Sequence, residues 1–121
     1  MASKPKKIII VEDEKPLSHA LELKLARLGH KVTVAYNGRE GLDLLLKEDF
    51  DIVLLDLMMP VINGFDVLEK LKKNNKNPTV YVLSNLSQPE DEERAMALGA
   101  KKFFIKSDTP LSQIVDEISA D

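Results

Sequence analysis

Ile52-Val53-Leu54-Leu55-Asp56 is an uninterrupted apolar run that ends on a carboxylate. It lacks the polar alternation of a strand with one wet face. It therefore predicts a strand covered on both sides, as in a parallel sheet between helical layers. Four similar runs flank it along the chain: Ile8-Ile9-Ile10-Val11, Val32-Thr33-Val34-Ala35, Val80-Tyr81-Val82-Leu83 and Phe103-Phe104-Ile105. The second of the five in chain order, Val32 to Ala35, is the most polar, which suits an edge.

The segments between the runs carry helical period. Leu111, Ile114, Val115 and Ile118 fall on one helical face, and Leu17, Leu21, Leu25 and Leu28 form a second stripe closed by Gly29. Leu42, Leu45 and Leu46 follow Asn37-Gly38, and Phe65, Leu68 and Leu71 precede Asn74-Asn75 and Pro78. Ser87-Gln88-Pro89-Glu90 reads as a capping box for a helix running through Ala95 to Leu98 and stopping at Gly99. Strict alternation of strand and helix predicts an α/β fold with right-handed crossovers and helices on both faces. Five units are too few for a closed eight-stranded barrel. The expected architecture is a flavodoxin-like, doubly wound, five-stranded parallel sheet of order 2-1-3-4-5 with five helices.

The composition narrows function. The chain has 121 residues, 44% hydrophobic and 31% charged, which is enough for one globular domain over 1–121 with a core from about 7 to 118. No cysteine is present, so disulfides, thiolate metal sites and cysteine nucleophiles are excluded, and a reducing cytoplasmic location is expected. With 17 basic and 20 acidic residues the net charge is -3, a poor basis for binding nucleic acid. The apolar run behind Lys4, Lys6 and Lys7 is too short for a signal peptide or a membrane span, so no membrane partner is expected. His19 reads as an ordinary surface histidine, and His30 as solvated in a turn.

Open α/β sheets bind ligands beyond the carboxyl ends of their strands, where strand order reverses. In the expected order that edge gathers Glu12 and Asp13, followed by Glu14, with Asp56, Ser84 and Lys106. Taken singly, each has an ordinary explanation. The acidic turn can favour the first helix dipole, Asp56 can end a strand before Met59-Pro60, Ser84 can be a loop hydroxyl, and Lys106 a surface cation. Their joint placement is more specific. Like charges about 4 Å apart at an effective dielectric near 20 cost about 4 kcal/mol per pair before screening. A cation relieves this, and an oxygen-only site that keeps several waters suits Mg²⁺. Three carboxylates balanced by Mg²⁺ and Lys106 give a neutral site able to take a phosphoryl group, with Asp56 as nucleophile and Ser84 as a hydrogen-bond donor.

From about Lys7 to Ile118 the chain resembles a response-regulator receiver domain of two-component signalling, of the stand-alone CheY-like kind. The most specific stretch runs from Asp51-Ile52-Val53 through Asp56-Leu57-Met58-Met59-Pro60 to Asn63-Gly64-Phe65, supported by Glu12-Asp13-Glu14, Leu98-Gly99-Ala100 and Lys106. The resemblance implies that Asp56 accepts a phosphoryl group from a phosphohistidine on a sensor histidine kinase or histidine phosphotransfer protein. It implies that Asp13, Asp56 and the Met58 carbonyl ligate Mg²⁺, with Glu12 reaching the ion through water. Ser84 and Phe103 become the switch pair, and Lys106 the lysine of the site. Self-phosphorylation and autodephosphorylation are then its only reactions, without turnover of an external substrate. Output passes through a changed surface of the fourth helix, fifth strand and fifth helix to a downstream protein target or a further segment.

Three departures stand out. Glu12 replaces the commoner Asp, Phe103 replaces a frequent Tyr, and Ser107 follows Lys106 where the family usually has Pro in a cis bond. A cis bond before Ser107 would cost roughly 3–4 kcal/mol, so this loop either stores strain or runs trans. The resemblance implies that the residues two beyond the acceptor and two beyond the switch hydroxyl influence hydrolysis; here they are Met58 and Leu86, apolar and unable to orient a water, so a long-lived phosphoryl state is expected. The alternative is a non-phosphorylated pseudo-receiver, a protein-docking module. An aspartyl phosphatase would need Asp-x-Asp at the first strand, and Asp56-Leu57-Met58 does not supply it. A flavin site conflicts with Glu12-Asp13-Glu14, which repels phosphate.

Overall fold

The computed structural model describes residues 4–86 and 88–121. Five strands and five helices alternate: β1 (Lys7–Val11), α1 (Lys15–Arg27), β2 (Lys31–Ala35), α2 (Gly38–Lys47), β3 (Ile52–Leu55), α3 (Gly64–Lys73), β4 (Thr79–Ser84), α4 (Pro89–Ala97), β5 (Lys102–Ile105) and α5 (Leu111–Ala120). The sheet is parallel in the order β2-β1-β3-β4-β5, as expected, with the more polar β2 at an edge. None of the described helices is long and apolar enough to cross a membrane.

Alternation along each strand splits the core into two layers. Ile9, Val11, Val53, Leu55, Val80 and Val82 face one layer, where Leu42 and Leu45 of α2 and Phe65, Leu68 and Leu71 of α3 cover them. Ile8, Ile10, Ile52, Leu54, Tyr81, Leu83 and Phe104 face the other, beneath Leu21 and Leu25 of α1 and Ile114, Val115 and Ile118 of α5. Leu28 and Leu46, expected on buried stripes, are exposed. Each lies at the end of its helix, where the stripe has rotated off the sheet.

Helix ends follow local chemistry. The Asn37 side chain accepts from the Glu40 N–H and starts α2. Asn63 and Asp66 form a reciprocal capping box that starts α3. That motif stands in the sequence before a short apolar run, whose period alone does not mark it. The expected box at α4 is not the one found. Gln88 is the N-cap without a side-chain hydrogen bond, Pro89 opens the helix, and Ser87 lies outside the described residues.

His30 corrects the expectation of a solvated turn. It is 6% exposed, its Nδ1 accepts from the Lys6 N–H at 3.1 Å, and its Nε2 lies 3.1 Å from Ser119 Oγ on α5. The end of α5 folds over it. Burial, and then the Lys6 charge, hold its pKa below the ordinary value of 6.5.

Candidate functional site

Strand register builds the site. Val11 pairs with Leu55 and Leu55 with Val82, so the residues after β1 and β3 emerge side by side. The Asp56 N–H donates to the Val11 carbonyl at 3.0 Å, and the Lys106 N–H to the Ser84 carbonyl at 2.9 Å. These bonds continue the sheet one step beyond its strands and fix where each side chain leaves.

Glu12 and Asp56 are 2% and 3% exposed, whereas Asp13 is open to solvent. One carboxylate oxygen from each of these three residues lies within 4.8 Å of the other two. Lys106 reaches into the group. Its Nζ is 2.9 Å from Glu12 Oε1, 3.5 Å from Asp56 Oδ2 and 3.4 Å from Glu14 Oε1. It donates a hydrogen bond to Glu12 Oε2 at 3.1 Å, and that same oxygen accepts from the Glu14 N–H at 3.0 Å. Glu12 Oε1 lies 2.9 Å from the ammonium but off its hydrogen-bond directions, so among the described residues this buried oxygen has no hydrogen-bond donor. Asp56 Oδ1 accepts from the Met58 N–H at 3.1 Å.

Burial dominates the electrostatics. It pushes Glu12 up from 4.5 to about 7 against the Lys106 and Glu14 hydrogen bonds, and the neighbouring Asp56 charge adds to the rise. Burial also raises Asp56, opposed by the Met58 N–H and Lys106 and reinforced by Asp13. Burial lowers Lys106, but hydrogen bonding to Glu12 and the Asp56, Glu12 and Glu14 charges outweigh it and leave its pKa raised. Two buried carboxylates share one ammonium. The donor set is all oxygen, it carries excess negative charge, and among the described residues one of its buried oxygens has no hydrogen-bond donor. Those properties fit a hard divalent cation.

The cavity at this edge measures about 210 Å³ and is lined by Asp13, Glu14, Asp56, Met58, Asn85 and Lys106. Asn85 and the Glu14 contact were not anticipated. Each follows an expected residue in sequence, and only the turn after β1 or β4 brings it to the mouth. Met58 is 56% exposed. Ser84 is fully buried, does not line the cavity, and its Oγ accepts the Leu86 N–H at 3.1 Å. Phe103 is half-buried and packs against the same core layer as Leu86 and Leu98. Among the described residues no peptide bond is cis, so the Lys106–Ser107 loop runs trans and still delivers Lys106 to the acidic group.

The loop after Asp56 holds a strained turn. Val61 has φ 69°, and the Ile62 N–H donates to the Pro60 carbonyl at 2.8 Å. This is a γ-turn of the rare hand, on a β-branched residue that disfavours it. Val61 is 95% exposed, so its side chain contributes little packing in return. Val61→Gly should therefore stabilise the fold by about 0.5–1 kcal/mol, read as a higher denaturation midpoint. An unchanged or lower midpoint would show that the turn carries no such strain.

Comparison with known proteins agrees with this geometry. The family described as response regulator receiver domain matches residues 8–118. The chain is 35% identical over 99 residues to an uncharacterized transcriptional regulatory protein, YkoG, of Bacillus subtilis strain 168, covering 82% of this chain and 43% of YkoG. It is 34% identical over 100 residues to the response regulator ArlR of Staphylococcus saprophyticus, covering 83% of this chain and 45% of ArlR. The chain thus spans less than half the length of these relatives. Among solved structures, the receiver domain of the Francisella response regulator 1452 superposes with a TM-score of 0.88 at 26% identity, covering 95% of this chain and 94% of that one. A CheY-like receiver domain of Methanospirillum hungatei JF-1 gives 0.88 at 23% identity over 97% of this chain and 93% of that one, and shares the fold. With residues 8–118 matched and the acidic group at the switch point of a 2-1-3-4-5 sheet, the chain belongs to the response regulator receiver domains of two-component signalling.

Proposed function

We propose that the chain is a phosphorylation switch in which Asp56 accepts a phosphoryl group from a phosphohistidine on a sensor histidine kinase or histidine phosphotransfer protein. The observation that carries this reading is the buried Asp56 carboxylate, 3.5 Å from Lys106 and within the three-carboxylate group. An Asp56 oxygen attacks phosphorus, the new O–P bond forms, and the P–N bond to the donor imidazole breaks with the imidazole retaining a proton. Lys106 neutralises the phosphoryl oxygens. Asp13, Asp56 and the Met58 carbonyl would hold Mg²⁺, with Glu12 contributing through water, and the ion would supply the remaining neutralisation.

Ser84 is the responsive group. Its Oγ holds the Leu86 N–H, and its own O–H is available to a phosphoryl oxygen on Asp56. Turning toward that oxygen releases Leu86, against whose core layer Phe103 also packs. The shift passes to α4, β5 and α5, where a downstream protein target reads it. We assign the chain 1–121 to a single cytoplasmic receiver domain with its core at about 7–118. A docking-only module would have no use for a buried, charge-stressed carboxylate pair.

Intact-mass measurement tests the reading. With Mg²⁺ and a small phosphodonor the protein should gain one phosphoryl group, and Asp56→Asn should gain none. A parent that stays unmodified, or a variant that is modified equally, would overturn it.

A further inference from the structure

Away from the acidic edge, at the start of β4, a groove of about 350 Å³ opens between the last turns of α3 and α4. Its cause lies in the sequence of α4. Pro89-Glu90-Asp91-Glu92-Glu93-Arg94-Ala95-Met96-Ala97 supplies one buried side chain, Ala95, so α4 cannot fill the space beside α3. Leu68, Leu71 and Val80, 2–3% exposed, lie against the groove, with half-buried Leu98 as the α4 wall. A Cβ added at Gly99 would meet nothing within 4 Å, so the α4 end is open.

The rim has one sign of charge. Among the described residues Lys72, Lys76 and Lys101 line it and no carboxylate does, although acidic residues outnumber basic ones by 20 to 17 in the chain. Lys76 pairs with Asp49 at 2.9 Å and Lys101 with Asp121. Among the described residues Lys72 makes no ion pair, which leaves one uncommitted ammonium above an apolar floor. A volume in the small-molecule range, a mixed lining with Leu68, Leu71, Val80 and Leu98 beneath Asn77, Thr79 and the lysines, and one uncommitted cation point to an amphiphile with a single negative charge.

We propose that this groove binds a monocarboxylate with a medium-length alkyl chain, the chain lying between Leu71 and Leu98 and the carboxylate at Lys72. Such a ligand touches α3 and α4 together and braces the helix that the core holds least. The site is separate from the acidic edge and independent of any phosphoryl chemistry there.

Amide NMR titrations of the whole chain test this with decanoate, octanoate and decylammonium, each below its micelle concentration. Decanoate should give saturable shifts centred on Leu68, Leu71, Val80 and Leu98. Octanoate, two methylenes shorter, should bind about fivefold more weakly, as expected for partly buried methylenes. Lys72→Glu, an exposed change, should leave the spectrum folded and weaken decanoate about fivefold. Shifts that do not saturate, that scatter over the surface, or that decylammonium reproduces would overturn the proposal. So would unchanged affinity in Lys72→Glu.

Discussion

With divalent cations chelated, Glu12→Gln should melt well above the parent at about pH 8 and lose that advantage near pH 4. Burial raises the folded pKa of Glu12 from 4.5 to about 7. Between those values the folded protein keeps a proton that the unfolded chain releases, so raising pH through the window favours unfolding. The penalty is absent below the unfolded pKa and complete above the folded one. At about 1.4 kcal/mol per pH unit it reaches roughly 3–4 kcal/mol, or about 10–15 °C for a domain of this size. Glutamine removes the charge and retains an oxygen for the Glu14 N–H. His30 acts in the opposite direction: its lowered pKa gives stability above 6.5 that is lost as pH falls. Parent and variant share that term, so their difference isolates Glu12. Adding Mg²⁺ should narrow the gap by relieving the same repulsion in the parent. A variant that melts below the parent at high pH would mean that Lys106 already compensates the cluster.

This energetic stress was legible in outline before any coordinates. Apolar runs placed β1 to β5 to within one residue at each end, because strands buried on both faces tolerate little polarity. The strand-end rule then brought Glu12, Asp13, Asp56, Ser84 and Lys106 to one edge; the structure groups the three carboxylates within 4.8 Å around Lys106, while Ser84 is buried beside the cavity without lining it. What escaped depends on tertiary closure. His30 looks like a turn residue until α5, from the far end of the chain, covers it. The Leu86 bond to Ser84, the Glu14 contact with Lys106 and the γ-turn at Val61 are set by loop geometry, for which no periodic pattern exists. The α4 groove is also a tertiary result, since an underfilled space needs two helices to define it.

Gly64→Ala should cause a second large loss, in stability and phosphoryl acceptance together. Gly64 opens α3 directly behind the candidate acceptor. A Cβ there would lie 2.5 Å from the Asp56 carbonyl oxygen and 2.8 Å from Leu57 Cα. Neither side can yield cheaply. The Asn63–Asp66 box and buried Phe65, Val67 and Leu68 hold α3, while sheet-like bonding to Val11 holds Asp56. The Gly64 N–H also donates to the Leu57 carbonyl at 3.1 Å, a bond that widening would break. Overpacking against backbone costs about 3 kcal/mol, and the displaced atoms carry the Asp56 side chain. Gly29→Ala is the control. Its φ of +93° makes alanine unfavourable, but nothing lies within 4 Å of the new Cβ. It should lose only about 1 kcal/mol and accept phosphate at the parent rate. Denaturation midpoints and intact masses for both variants test the ranking. Equal losses would show that backbone conformation, not the approach of α3 to Asp56, dominates at Gly64. A Gly64→Ala protein phosphorylated at the parent rate would show that the acceptor tolerates displacement of its own main chain.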